Sequence, residues 1–462
     1  MTKINRINKF LKVHGPTITL FVMLVVFTAY AGFMALNLQK GIIPDEPAHF
    51  IFSKYFATSL GIPPDTYETY SWGWYIEGHP FLYYWINGRI INLISIITPD
   101  ISDTGLLISL RVVSVFFGIL TIVFCFLLSK EVTQHQWWQL LPVFLLTNTL
   151  MFVFISAGVH YDNLANLFSM VALYFLVRVL KCHNFLTNSF AWMITIAIAT
   201  LVKYPILPLA LAMFITWLIF LLTHRKDIFP IKVIPLKTLA LSLMLVPLII
   251  GNFAIYGINL IKYQSITPPC REILLKYQCE ISKYEQRHRE LALDSKLTIA
   301  ESISEGYPTP LRYTFIDWVY HILLRTFGLS GHKAYFPYHL IPYYQLLFYL
   351  VVILGLLNLF LWRSFSFIEI NLLGIAAFYT LVLFFNNYNS ELVYGFRQVA
   401  VQGRYLFPVV GIIVILFTKI IKQTPIRFLQ GVTLTITIGL IFWGGPLTLL
   451  LKFNTVFFGW FM

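Results

Sequence analysis

The run from Pro16 to Leu36, PTITLFVMLVVFTAYAGFMAL, carries no charge and is followed closely by Pro44-Asp45-Glu46-Pro47-Ala48-His49-Phe50. A helix needs about 20 apolar residues to cross the hydrocarbon core of a bilayer, and this run supplies them. Two adjacent carboxylates and an imidazole therefore meet the membrane–water boundary on the far side from the N-terminus. Lys3, Arg6, Lys9 and Lys12 precede the run, the pattern of a signal anchor with a cytoplasmic N-terminus. Ala29-Tyr30-Ala31 offers the rival reading, a cleaved signal peptide, which would leave the Asp45 segment as a new N-terminal tail. The run exceeds a usual h-region, which favours the anchor.

The whole chain has the same character. Of its 462 residues 58% are hydrophobic, 17% aromatic and 11% charged, and its mean hydropathy is +0.75. A soluble domain carries about 25% charged residues, so composition alone indicates a polytopic membrane protein. Lys+Arg 33 against Asp+Glu 20 gives a formal charge of +13. No basic stripe or recognition motif accompanies that excess, which argues against nucleic acid as a partner.

Apolar runs separated by polar loops predict about eleven transmembrane helices, near 16–36, 106–128, 138–156, 163–180, 189–202, 205–222, 235–255, 343–361, 368–385, 404–418 and 429–450. Alternating sides from a cytoplasmic N-terminus puts Lys130, Arg178 with Lys181, Arg225 with Lys226, Arg363, and Lys419 with Lys422 and Arg427 all inside. That agreement sets the orientation, because lysine and arginine gather in cytoplasmic loops. The expectation is an all-α polytopic unit covering 1–462, in a bacterial-type plasma membrane, with no visible repeat and no separate soluble domain. Three outward loops are long. The first, 37–105, contains an interfacial helix from Glu46 to Leu60 and an apolar segment from His79 to Ile97 interrupted by Asn87-Gly88-Arg89. Arg89 at the centre of a span would cost about 2.5–3.5 kcal/mol, so this segment is expected to lie in the membrane plane. The second loop, 257–341, opens with a charged helical part (Arg271 to Glu305), and an interfacial Phe315 to Phe327 stretch follows. The third, Asn386 to Gly403, reads as polar loop. Cys270 and Cys279 share the second loop, and a disulfide between them depends on the compartment; Cys125 and Cys182 are expected to be unpaired.

Polar groups return repeatedly to the outward boundary. Asp45 and Glu46 point about 100° apart on a helix start, so one would act as a general base while the other binds an acceptor or positions a partner; Asp45 as a plain helix cap is the competing reading. His49 lies one turn on, within reach of Asp45. His79-Pro80 opens the second interfacial segment in the same loop, where aromatic anchoring is an equally good account. His160-Tyr161-Asp162-Asn163 forms a tight outward turn, in which Asp162 is either a second site carboxylate or a helix cap. Two carboxylates would allow a divalent ion but are a thin ligand set for one. Lys203-Tyr204 interrupts apolar sequence, and an ionisable residue at that depth marks a functional site unless its side chain snorkels to the headgroups. Arg404-Tyr405, after Gln402-Gly403, enters the tenth span, and arginine suits bidentate phosphate binding. Arg397 nearby reads as a solvated loop charge. Acids from the early loops and cations from the later ones suit group transfer from an anionic lipid leaving group.

These residues resemble the GT-C superfamily of integral-membrane glycosyltransferases, which includes protein O-mannosyltransferases and the aminoarabinose transferases of lipid A. The likeness rests on Asp45-Glu46 after the first span with His49-Phe50 behind it, on His79-Pro80, on the acidic turn at Asp162 and on the many-span architecture. It is closest to a bacterial branch with a Pro-Asp-Glu-Pro-Ala-His-Phe-like start and a Gln-Gly-Arg-Tyr-like segment late in the chain. His49 follows Glu46 after two residues rather than one, a departure from the mannosyltransferase pattern. No large soluble domain follows the last span, unlike in oligosaccharyltransferases. The resemblance implies a polyprenyl-phosphate-linked sugar donor, an extracytoplasmic lipid, glycan or protein acceptor, and direct displacement with inversion. Asp45 would be the base, Glu46 would assist acceptor or metal placement, and Arg404 and Lys203 would bind donor phosphate; no cofactor or metal ligand set is assigned. Two other classes remain open: a transporter or flippase of lipid-linked sugars, and a non-catalytic envelope-assembly subunit. Transporters are commonly built from repeats around a midplane site, and here the polar groups cluster at one interface.

Overall fold

Ten helices among the described residues are long and apolar enough to cross a bilayer: His14–Asn37, Asp103–Val132, Tyr161–Leu180, Phe185–Val202, Tyr204–Thr223, Leu236–Tyr263, Ile341–Phe360, Phe367–Tyr394, Gly403–Gln423 and Arg427–Leu451. The pair Gln136–Asn148 and Leu150–Ser156, bent by 66°, supplies an eleventh. This computed structural model describes residues 3–72, 75–224, 235–292, 296–330, 335–336, 338–395, 401–452 and 459–461. Arg225, Lys226 and Arg397, used in the sequence reading, lie outside them. Each expected span has its helix. The bend has a local cause: Thr147 Oγ1, Asn148 Nδ2 and Thr149 Oγ1 donate to the carbonyls of Val143, Phe144 and Leu145 at 2.8–2.9 Å. Such back-bonding competes with the helix's own ladder, and Thr149 is extended at φ −71°, ψ 108°.

The early elements are α1 (Lys3–Asn37), α2 (Glu46–Ala57), α3 (Tyr67–Ser71), α4 (Leu82–Ile97), α5 (Asp103–Val132), α6 (Gln136–Asn148), α7 (Leu150–Ser156), α8 (Tyr161–Leu180), α9 (Phe185–Val202) and α10 (Leu207–Thr223). Helix α8 is the hub: 78% of its apolar window is buried, and it packs on both α5 and α9. The main apolar core draws on buried residues from Phe27 to Trp460.

Helix α4 does not qualify as a span; it packs along α2. Gly88 permits this, because a Cβ there would lie 2.7 Å from the carbonyl carbon of Phe56. Arg89 donates to the carbonyls of Phe56 and Ser59, capping the C-terminal turn of α2, and its guanidinium stacks near Trp85. The Asn-Gly-Arg interruption is thus the seam between two helices of the first loop. Excluding α4 also gives the spans a consistent parity. The connections after the first, third, fifth, seventh and ninth spans converge on one end of the molecule, where the main cavity lies. Ion pairs close the opposite end: the part-buried Lys181 Nζ to Glu131 at 2.9 Å, and Lys419 Nζ to the buried Glu369 at 2.5 Å.

Two loops differ from expectation. The Asn386–Gly403 stretch is helical as far as Tyr394, and Gly395 at φ 62° ends it. Asn387 accepts from Trp318 Nε1 at 3.0 Å, Tyr388 donates to Pro308 O at 2.9 Å, and Glu391 accepts from Tyr307 at 2.8 Å. Those tertiary partners override a weak local propensity. The seventh span likewise continues past 255 to Tyr263 through a π-turn at Phe253–Gly257. In the second loop the charged part breaks into short helices, Cys270–Ile273, Lys276–Ile281, Lys283–Leu291 and Ile299–Ser304. Cys270 and Cys279 are joined by a disulfide, whereas Cys125 and Cys182 are free.

Candidate active site

A cavity of about 1180 Å³ opens where the odd-to-even connections meet. Its wall includes Pro44 and Asp45 from the first loop, Tyr161 at the start of α8, Lys203 and Tyr204 before α10, Pro268 to Cys270 from the second loop, and Arg404 with Tyr405 late in the chain. Asp45 precedes α2 with φ 59° and ψ 0° and makes no side-chain cap bond. A non-glycine residue in the left-handed region is uncommon, and here it turns the carboxylate away from the helix it would otherwise cap. Asp45 Oδ2 accepts from Arg404 Nη2 at 2.8 Å.

Arg404 spans both acids, with its Nε 3.8 Å from Asp162 Oδ2. Asp162 Oδ1 accepts in turn from Lys203 Nζ at 2.5 Å. The result is an alternating chain, Asp45–Arg404–Asp162–Lys203. Lys203 lies over the rings of Tyr161 (4.8 Å) and Tyr405 (4.7 Å), and Tyr379 fixes Tyr405 by donating to its carbonyl at 2.8 Å. Lys203 is buried, at 4% exposure, so it does not snorkel. Asp162 does not cap its helix either; His160 Nδ1 does, accepting from Asp162 N at 3.1 Å. Arg404 Nε and Nη1 are buried and have no hydrogen-bond partner among the described residues. They remain available to a guest anion, since buried donors otherwise find partners.

The two carboxylates differ in access. The Asp45 side chain is 26% exposed and that of Asp162 only 2%. Gly403 sets the approach of Arg404, because a Cβ there would lie 2.7 Å from the carbonyl carbon of Arg325 and from Ile322 O.

Two candidates from the sequence are elsewhere. Glu46, expected beside the substrate, is fully buried and does not line the cavity. It accepts from Arg111 Nε at 2.8 Å and Nη2 at 2.6 Å, and from Val159 N at 3.2 Å. Arg111 also donates to the carbonyls of Ala35, Leu38 and Gln39 at the end of α1. This buried fork ties α1, α2, α5 and the turn before α8, leaving Glu46 no route to an acceptor or a metal. His49 is likewise fully buried; Nδ1 lies 3.0 Å from Tyr84 OH, and its ring packs against His160 (4.3 Å) and Tyr161 (4.5 Å). Burial holds the imidazoles of His49 and His160 well below the usual histidine pKa, with Arg404 and Lys203 adding to the effect at His160. Both are neutral packing groups behind the wall. His79 does line the cavity, at its outer side against Tyr75 (4.2 Å), and burial lowers its pKa too.

The sequence reading missed Arg111, Arg325 and the Glu285–His288 wall. Arg111 carried a signal: a lone cation inside the 106–128 apolar run demands a partner. The charge set does not fit a divalent cation. Asp45 and Asp162 are already paired with Arg404 and Lys203, and among the described residues no group of three or more His, Cys, Asp or Glu converges.

Residues 79–250 match the family model described as dolichyl-phosphate-mannose-protein mannosyltransferase. Among solved structures, the apo crystal structure of the Archaeoglobus fulgidus oligosaccharyltransferase is similar over 95% of this chain and 55% of that one, at 15% identity and TM-score 0.47. The arabinosyltransferase EmbB from Mycobacterium smegmatis is similar over 91% of this chain and 34% of that one, at 11% identity and TM-score 0.34. The chain thus spans about half the length of the first of these proteins and a third of the second. No functionally curated protein matches it at a significant level. The mannosyltransferase match thus falls on the part of the chain that includes α4 to α10 and on a protein with ten or eleven candidate membrane spans among its described residues.

Proposed function

We propose that the protein moves a sugar from a polyprenyl-phosphate donor to an acceptor hydroxyl on the extracytoplasmic face, with Asp45 as general base and inversion at the anomeric carbon. The observation that carries this reading is the Asp45–Arg404–Asp162–Lys203 chain at the cavity wall, in which the outermost carboxylate is the accessible one. The acceptor O–H attacks the anomeric carbon as its proton passes to Asp45. The anomeric C–O bond to phosphate breaks, and its electron pair stays on the phosphate oxygen. Arg404 and Lys203 stabilise that growing charge, with Tyr204 and Tyr405 beside them to flank the sugar. Asp162, locked to Lys203, keeps the cations in place. Glu46 and His49 act on the frame rather than on substrate.

The test is transfer from a panel of labelled polyprenyl-phosphate sugars by purified protein in lipid, wild type beside Asp45→Asn. Labelled product from wild type alone supports the reading. Equal transfer by both removes Asp45 as base. No transfer with any donor, together with flipping of the lipid-linked sugar in vesicles, replaces the transferase with a flippase.

A further inference from the structure

Among the described residues two carboxylates line the cavity, Asp45 and Glu285, and their surroundings differ. Asp45 is held by Arg404 at 2.8 Å. Glu285 is half-buried, and among the described residues its carboxylate makes no ion pair or hydrogen bond. The acids around it are occupied. Asp65 accepts from Thr69 Oγ1 and from the backbone N–H groups of Ile76 and Glu77 at 2.8–2.9 Å. Glu77 in turn lies 3.6 Å from Lys262 Nζ. The wall beside Glu285 is built in advance of any guest. Tyr75 donates to Pro268 O at 3.0 Å and Gln278 Nε2 to Tyr70 OH at 3.2 Å, which docks the second loop on the first. The Cys270–Cys279 disulfide closes that part of the second loop. Ser282 Oγ accepts from Glu285 N at 3.3 Å and sets the first turn of the helix Lys283–Leu291. Burial raises the Tyr75 phenol pKa, and the charge of Glu285 nearby adds to the effect. The cavity, about 1180 Å³, exceeds the roughly 300–1,000 Å³ of a pocket for one small molecule. A donor phosphate at Arg404 therefore leaves room for a second guest.

We propose that Glu285 and the Tyr75 ring form the acceptor subsite, and that the acceptor group it takes is a neutral sugar. This rests on the reading of Asp45 and Arg404 as the transfer site. A carboxylate accepts from two neighbouring sugar hydroxyls through charge-assisted bonds. The C–H face of a pyranose packs on the electron-rich face of an aromatic ring beside it. Arg287 on the same wall disfavours a cationic guest, and Glu285 itself disfavours an anionic one. The competing account is structural: a carboxylate in a first helical turn complements the helix dipole, and Glu285 would then hold no guest.

Binding to the full-length protein in nanodiscs, without donor, separates these. Methyl glycosides of glucose, galactose and mannose are titrated against wild type, Glu285→Gln and Glu285→Asp, followed by saturation-transfer NMR. Glucosamine and N-acetylserine amide serve as the cationic and the peptide-like comparison. Charge-assisted hydrogen bonds correspond to about tenfold or more in affinity. The subsite predicts that at least one glycoside binds wild type and that Glu285→Gln weakens it about tenfold or more. Glu285→Asp recovers part of the loss, which a misfolded protein would not show. The dipole account predicts the reverse, a lower melting temperature in Glu285→Gln with glycoside affinity unchanged, and that result overturns the subsite. So does a wild type that binds none of the glycosides. Glucosamine or N-acetylserine amide binding in place of the glycosides, and through Glu285, overturns the neutral sugar as the guest. Sugar transfer by Asp45→Asn equal to wild type overturns the underlying transfer reading instead, and the glycoside titrations are independent of that result.

Discussion

Arg404 meets Asp45 across 359 positions of the chain, with Nη2 2.8 Å from Oδ2. The contact joins the first long loop to the start of the tenth span, and it sets the resting state of the proposed base. A carboxylate held by a guanidinium is a weaker proton acceptor than a free one. Anything that draws Arg404 toward an incoming anion therefore strengthens Asp45. Asp45→Asn is expected to lower kcat by about 10²–10⁴-fold with little change in donor KM. Arg404→Gln is expected to raise donor KM as well as lower kcat. Initial rates over a donor concentration series check both, and an Asp45→Asn enzyme with wild-type kcat would exclude the assignment.

Gly403 is the hinge of that contact. Gly403→Ala forces the Val401–Arg404 segment away from Arg325 and Ile322, both 2.7 Å from the added carbon. Activity should fall about tenfold or more, since a displacement near 1 Å at a reacting group costs up to about 100-fold. Melting temperature should move far less than activity. A Gly403→Ala protein with full activity would show that the backbone approach is not needed.

The Glu46–Arg111 fork predicts the opposite signature. Removing one partner of a fully buried pair costs about 3–5 kcal/mol, so Glu46→Ala or Arg111→Ala should lower the unfolding midpoint in detergent sharply. Material that does fold should retain a measurable kcat, because neither side chain faces the cavity. If Glu46→Ala melts like wild type yet is inactive, Glu46 belongs among the catalytic groups after all.

His49 and His160 predict a pH response. Burial depresses both pKa values below that of the unfolded chain, about 6.5. The unfolded state therefore binds more protons in acid. Stability is fully present above about pH 6.5 and is lost as pH falls toward the depressed folded-state values. Unfolding midpoints from pH 7.5 to 5 should decline, and the decline should be shallower in His49→Phe. A flat profile in wild type would mean that the imidazoles are not held neutral.

The fold was legible because its determinants are one-dimensional. Apolar run length marks spans, and lysine and arginine mark sides, so the pattern from 16–36 onward yields the bundle. Arg89 excluded one false span, and the convergence of the odd-numbered connections on a single cavity agrees with that parity. Half of the site was legible for a related reason: Asp45, Asp162, Lys203 and Arg404 are charged residues at apolar boundaries, where charge is costly without a use. What sequence cannot express is which of two neighbours turns inward. Asp45 and Glu46 are adjacent and chemically alike, yet one faces the cavity and the other is sealed against Arg111. The left-handed turn at Asp45 makes that choice, and its cause lies in the fork and in Arg404. The extension of the ninth span to Tyr394 was hidden similarly, since its asparagines and Glu391 are sustained only by Trp318, Tyr307 and Pro308.

The pairing of a residue near the start of the chain with one near position 404 also gives the protein a timetable. Synthesis proceeds at roughly 5–20 residues per second, so about 20–70 s separate the emergence of Asp45 from that of its guanidinium partner at that rate. Throughout that interval the acid has no cation from Arg404 and the cavity lacks one wall. Under the proposed function a half-made chain is therefore inert, and activity arrives in one late step, when the tenth span enters the bilayer and docks.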